Sequence, residues 1–132
     1  MSNDVRIRIL RMTKEFEGVS DAQLEGLLPF FDEVVVPYGT RLAQEGSFGH
    51  QFVIVASGEL ETCRQGKRGR LEPGDTFGLA AMYEQGRYDA TVTAMSSARL
   101  LVMGHAQFRA VKAVVGAPPE ASEPALTRSL VR

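Results

Sequence analysis

Residues 73–94 read PGDTFGLAAMYEQGRYDATVTA, and the fold turns on this stretch. It opens on a turn, Pro73-Gly74-Asp75, and passes through Phe77-Gly78 into a short helical run, LAAMYE. Gly86 ends that run, and a strand-like segment, ATVTA, begins at Ala90. A glycine feeding a short helix leaves several backbone N–H groups without intrahelical partners. Those groups point ahead of the helix, where the local dipole favours an anion. Many strand-to-helix turns of this kind bind nothing, so physics alone makes the stretch only a candidate anion site.

On both sides of it the hydrophobic period is that of short strands. The runs EVVV, TRLAQ, QFVIVA, ELETCR, TVTAM and RLLVM follow one another from Phe31 onward. Turn residues separate them at Pro37-Tyr38-Gly39, Glu45-Gly46-Ser47, Ser57-Gly58, Gly66 to Gly69 and Pro73-Gly74-Asp75. Short strands spaced by turns predict an antiparallel sandwich or barrel. In ELETCR, Leu60 and Thr62 alternate with charged neighbours, as in a half-exposed strand, and Cys63 reads as a buried or half-buried strand residue. The basic run RQGKRGR, residues 64–70, reads as an exposed hairpin tip; it lacks the interleaved aromatics of a nucleic-acid surface.

Helices are expected at both ends. Val5, Ile9, Met12 and Phe16 recur at helical spacing, which predicts one inward stripe over residues 4–16 with a solvated basic face opposite. Ser20, with Gln23 three residues on, has the form of a capping box ahead of Leu24, Leu27 and Leu28. HAQFRAVKAVV, from His105, predicts a late helix, and Gly116 with two prolines breaks it. Pro119 can open another short helix carrying Ala125, Leu126, Ser129 and Leu130 on one side.

The opening stretch resembles the phosphate-binding cassette of the cyclic nucleotide-binding domain, a family found in kinase regulatory subunits, gated channels and catabolite-activator-type regulators. That family reads F-G-E-[LI]-A-L, then P-R-[AS]-[AST]-[TS]-V and an alanine two places on. Phe77, Gly78, Ala81, Met82, Ala90, Thr91, Val92 and Ala94 match. The likeness extends over residues 10–115: V-x-x-G-T-x-L-x-x-E-G in Val36 to Gly46, F-x-I-V-x-S-G-E-L in Phe52 to Leu60, L-x-P-G-D-x-F-G in Leu71 to Gly78, and F-x-x-V-S-D-A-x-L-x-x-L in Phe16 to Leu27.

The resemblance implies an antiparallel β-roll, jelly-roll-like, with flanking helices and a short helix near 79–84. It implies one domain over residues 1–115, made of a helical lead-in (4–30), the β-roll (31–103) and a helix (105–115), followed by a tail (116–132). It also implies a ligand surface at Phe77, Gly78, Leu79, Ala80, Ala81, Arg87, Tyr88, Asp89, Ala90 and Thr91. Two positions depart from the family. Its ribose-holding glutamate falls on Leu79. Its phosphate-holding arginine falls on Tyr88, with Arg87 one place early and Asp89 one place late. The expectation is that Leu79 and Met82 lie against apolar strand residues, and that cyclic AMP and cyclic GMP bind weakly or not at all.

Composition sets the outer limits. The 132 residues suffice for one domain with a real core. Fifteen basic residues against sixteen acidic ones leave −1, so bulk charge argues for neither nucleic acid nor membrane. One cysteine cannot form an internal disulfide, and no apolar run approaches a membrane span, so the expected location is cytoplasmic. His50 and His105 stand far apart without partners at metal-ligand spacing, and no serine sits in a nucleophile elbow. The expectations are no catalysis, no metal and no cofactor.

Three functions stay open at this point. One is a non-enzymatic regulatory or sensor module acting through another protein, a fused effector or another ligand. The second is a genuine cyclic nucleotide receptor that uses backbone amides around Gly78 to Ala81 and Arg87. The third is the sensor fragment of a transcription regulator. A homodimer through the C-terminal helix is compatible with each; direct DNA binding is not expected.

Overall fold

The computed structural model describes residues 1–83 and 86–115. Helix α1 (Asn3–Met12), a 3-10 turn (Lys14–Phe16), helix α2 (Asp21–Leu27) and a second 3-10 turn (Leu28–Phe30) lead in. Six strands follow: β1 (Asp32–Val36), β2 (Arg41–Ala43), β3 (Gln51–Ser57), β4 (Leu60–Arg64), β5 (Lys67–Leu71) and β6 (Thr76–Phe77). Then come α3 (Leu79–Tyr83), β7 (Thr91–Ala94), β8 (Ala98–Gly104) and α4 (His105–Val115). The strands form two four-stranded sheets, ordered β1-β8-β3-β6 and β2-β7-β4-β5, and pair antiparallel throughout. This is the β-roll with flanking helices that the sequence led us to expect.

The core follows from the strand sequences. In β3, Phe52 to Ala56 are buried in an unbroken run, because one face of the strand meets the roll interior and the other meets helices. Phe52 meets Phe108 of α4 edge-on, with ring centres 6.2 Å apart. Leu24, Leu27, Leu60, Leu100 and Leu101 are almost wholly out of solvent. Each such leucine contributes about 1.5–3 kcal/mol of transfer free energy.

The lead-in is built from local hydrogen bonds. The Ser20 hydroxyl accepts from the Gln23 amide and the Gln23 side-chain oxygen accepts from the Ser20 amide, both at 3.2 Å, which completes the capping box. The expected stripe over 4–16 needs correction. α1 stops at Met12, and the buried Thr13 hydroxyl donates back to the Ile9 carbonyl at 2.8 Å. Within α1 the buried residues are Ile9 and Leu10 while Val5 and Met12 are 38% and 53% exposed, and Phe16 is buried from the separate 3-10 turn.

A second correction concerns residues 64–70. The tip is only Gln65-Gly66, and Lys67–Leu71 is a full strand paired with β4. Both tip residues have positive φ, 51° and 81°, the backbone that a two-residue hairpin turn requires. The predicted tail helix lies outside the described residues. Among those described, no helix is long and apolar enough to cross a membrane.

Candidate functional site

The site is assembled where β6, α3 and the chain entering β7 face β4 and β5. Gly78 makes the junction. Its φ is +89°, and an added Cβ would stand 2.2 Å from the Gln51 carbonyl oxygen of β3. Only glycine meets both conditions, so the residue lets β6 run directly into α3. Gly49 serves a neighbouring approach: an added Cβ there would stand 2.3 Å from the Ala81 Cβ and 3.1 Å from the Tyr88 ring.

Between these elements lies a cavity of about 340 Å³. Phe77, Gly78, Leu79, Ala80, Asp89 and Ala90 line it from the cassette side. Thr62 and Arg64 of β4, Leu71 of β5, Thr76, Val92 and Glu15 complete the wall. Leu79 is only 6% exposed and Met82 only 8%, and both belong to the hydrophobic core, as expected.

Four of the ten residues expected at the site are not part of this wall. Ala81 faces a separate recess beside α4, together with Met82, His105 and Phe108. Thr91 accepts a hydrogen bond from the Glu45 amide at 3.0 Å and so ties β7 to the loop after β2. Arg87 donates to the Gly46 carbonyl at 2.6 Å, and its guanidinium sits 4.4 Å from the centre of the exposed Phe48 ring. Tyr88 is buried against Gly49, with its ring 6.2 Å from that of Phe77. Its hydroxyl accepts from the His50 and Gln51 amides, each at 3.2 Å.

Three charged side chains reach the cavity. Glu15, from the 3-10 turn after α1, accepts from the Thr76 hydroxyl at 2.8 Å. Arg64 is ion-paired to Asp89, and its Nε also donates to the Asp89 carbonyl at 3.3 Å. Among the described residues, two carboxylates against one guanidinium leave one negative charge in excess at the wall. Such a lining accepts hydrogen bonds more readily than it neutralises an anion.

Glu15, Thr62, Arg64, Leu71 and Thr76 were not anticipated as site residues. For Thr62 and Arg64 the strand period carried a usable hint, since residues two apart share a face of β4. For Glu15 no local pattern exists; its approach depends on how the lead-in folds over β6. No group of three or more His, Cys, Asp or Glu among the described residues is arranged to hold a metal.

With the roll and the cavity in view, comparison with known proteins places the chain in a class. The family model described as "Cyclic nucleotide-binding domain" matches residues 33–113, and the chain belongs to that family. It is similar to a cAMP-dependent protein kinase regulatory subunit of Yarrowia lipolytica, 36% identical over 78 residues, covering 57% of this chain and 21% of that one. The regulatory domain of Toxoplasma gondii PKA, solved with cAMP, superposes with a TM-score of 0.72 at 32% identity, covering 83% of this chain and 44% of that one. The N-terminal domain of a transcriptional regulator from Streptomyces coelicolor A3(2) gives 0.77 at 26% identity, covering 93% of this chain and 90% of that one. The chain thus spans about a fifth of the kinase subunit and under half of the Toxoplasma protein.

Proposed function

We propose that this chain is a non-enzymatic regulatory module of the cyclic nucleotide-binding fold in which the cassette has lost its ligand-specific side chains. It binds cyclic AMP and cyclic GMP weakly or not at all, and it works through contacts with another protein or a fused effector, or through another ligand. The observation that carries this reading is the chemistry of the cavity wall. The residue after Gly78 is the buried, apolar Leu79, which cannot accept a ribose hydroxyl's hydrogen bond. The sole guanidinium among the described residues of the wall already holds Asp89. A buried hydroxyl without a partner costs about 1–3 kcal/mol, and a missing charged hydrogen bond about 1.5–3 kcal/mol more.

The similarity to the Streptomyces regulator's N-terminal domain, over nearly the full length of both chains, favours a second and compatible reading. Here the module would be the sensor part of a longer regulator, with its effector on another segment.

Thermal melting with and without 1 mM cyclic AMP tests the first reading. A receptor with micromolar affinity would gain about 4 kcal/mol at a thousandfold excess over its dissociation constant. We expect almost no shift. A rise of several degrees would overturn the proposal.

A further inference from the structure

Among the cavity's charged side chains, Arg64 has a property that its neighbours lack. It stands on β4, across the cavity from α3, and it is the only cation among the described residues of the wall. It is engaged twice by a single residue, through the Asp89 carboxylate and through the Asp89 carbonyl. Both side chains are more than half exposed, 61% and 54%. Exposed pairs of this kind are worth little and exchange readily with solvent or with a competing ion.

We propose that Arg64 is the anion-binding group of this cavity and that Asp89 is its built-in competitor. The Asp89 carboxylate occupies the place that a ligand's phosphate or carboxylate would take on the guanidinium. An anion arriving at Arg64 must displace Asp89 and then tolerate its negative charge a few ångströms away. Glu15, on the same wall, adds to that repulsion. Position 89 therefore sets whether the cavity accepts anions, and position 64 supplies the contact when it does. Arginine suits the role because its planar fork binds an oxyanion through two parallel N–H groups. The inference rests on the reading that the intact chain binds cyclic nucleotides poorly, and it names the residue pair that enforces this.

The test is an NMR titration with cyclic AMP of the full chain, of Asp89→Ala, and of Asp89→Ala combined with Arg64→Gln. Asp89 is exposed, so its truncation should leave the fold intact, and the amide spectrum verifies this directly. Asp89→Ala should bind about tenfold or more tightly than the parent, the scale of one charge-assisted hydrogen bond. The double variant should fall back to the parent's affinity. A folded Asp89→Ala that binds no better than the parent overturns the proposal, as does a gain that survives loss of Arg64. These outcomes are distinct from failure of the functional reading, which would appear as tight binding by the unmodified chain.

Discussion

The Tyr88 hydroxyl accepts a hydrogen bond from the Gln51 amide at 3.2 Å, joining the end of the cassette to the first residue of β3. The His50 amide donates to the same oxygen at the same distance. Two backbone donors at the start of β3 thus share one side chain 37 and 38 residues away. Tyr88→Phe keeps the ring and removes the acceptor. We expect a loss of about 0.5–1.5 kcal/mol, the net worth of a hydrogen bond whose donors lie at the edge of solvent. Chemical denaturation checks it; an unchanged midpoint would mean that water replaces the hydroxyl at no cost.

Glycine positions separate into two kinds that should respond differently to alanine. Gly78 combines a φ of +89° with a Cβ site 2.2 Å from the Gln51 oxygen, whereas Gly66 has a φ of +81° and nothing within 4 Å. Gly66→Ala should cost about 1–2 kcal/mol, from left-handed backbone alone. Gly78→Ala must also push β6 away from β3, and should cost at least about 3 kcal/mol or prevent folding. Equal midpoints for the two variants would contradict the close approach at Gly78.

Much of this arrangement was legible in the sequence, and the parts that were not share a cause. The turns were readable because a positive φ selects glycine locally, and the capping box because Ser20 and Gln23 are neighbours on one turn. β5 was missed because KRGRL has no apolar alternation; its hydrogen-bonding partner is β4, and its side chains are mostly in solvent. The two-residue β6 is too short to show a period at all. The lead-in stripe differs within α1, which ends at Met12 and buries Leu10 beside Ile9 while leaving Val5 and Met12 exposed. At the candidate site, Phe77 to Ala80, which line the cavity, are contiguous in one local motif. The Arg64–Asp89 and Glu15–Thr76 contacts bridge 25 and 61 residues, and no local pattern encodes a pairing that only the closed roll creates.

Acid should weaken the seam between β1 and β8 in a predictable direction. The Arg99 guanidinium, bonded to Glu33 at 2.6 Å, holds the Glu33 carboxyl below the usual carboxylate range, with help from the N-terminal amine at 3.5 Å. A lowered folded value means that the unfolded chain takes up the proton first. The contribution is therefore fully present above the ordinary glutamate pKa and is lost as pH falls through the lowered folded value. Glu33→Gln should be slightly less stable than the parent near neutral pH, and the gap should close as the pH falls below the ordinary glutamate range and through the lowered folded value. Urea midpoints across an acid pH series check this; a gap that widens on acidification would reverse the sign.

Isothermal calorimetry with cyclic AMP and cyclic GMP tests the central claim most directly. Leu79 offers no acceptor for the ribose hydroxyl, and the one guanidinium among the cavity's described residues is held by Asp89. Together these deficits amount to a few kcal/mol, or about two to four decades of affinity. The account predicts dissociation constants in the hundreds of micromolar or above, or no measurable heat. Low-micromolar binding to either nucleotide would contradict it, and loss of that binding in Arg87→Ala would show that Arg87 leaves the Gly46 carbonyl to hold the phosphate.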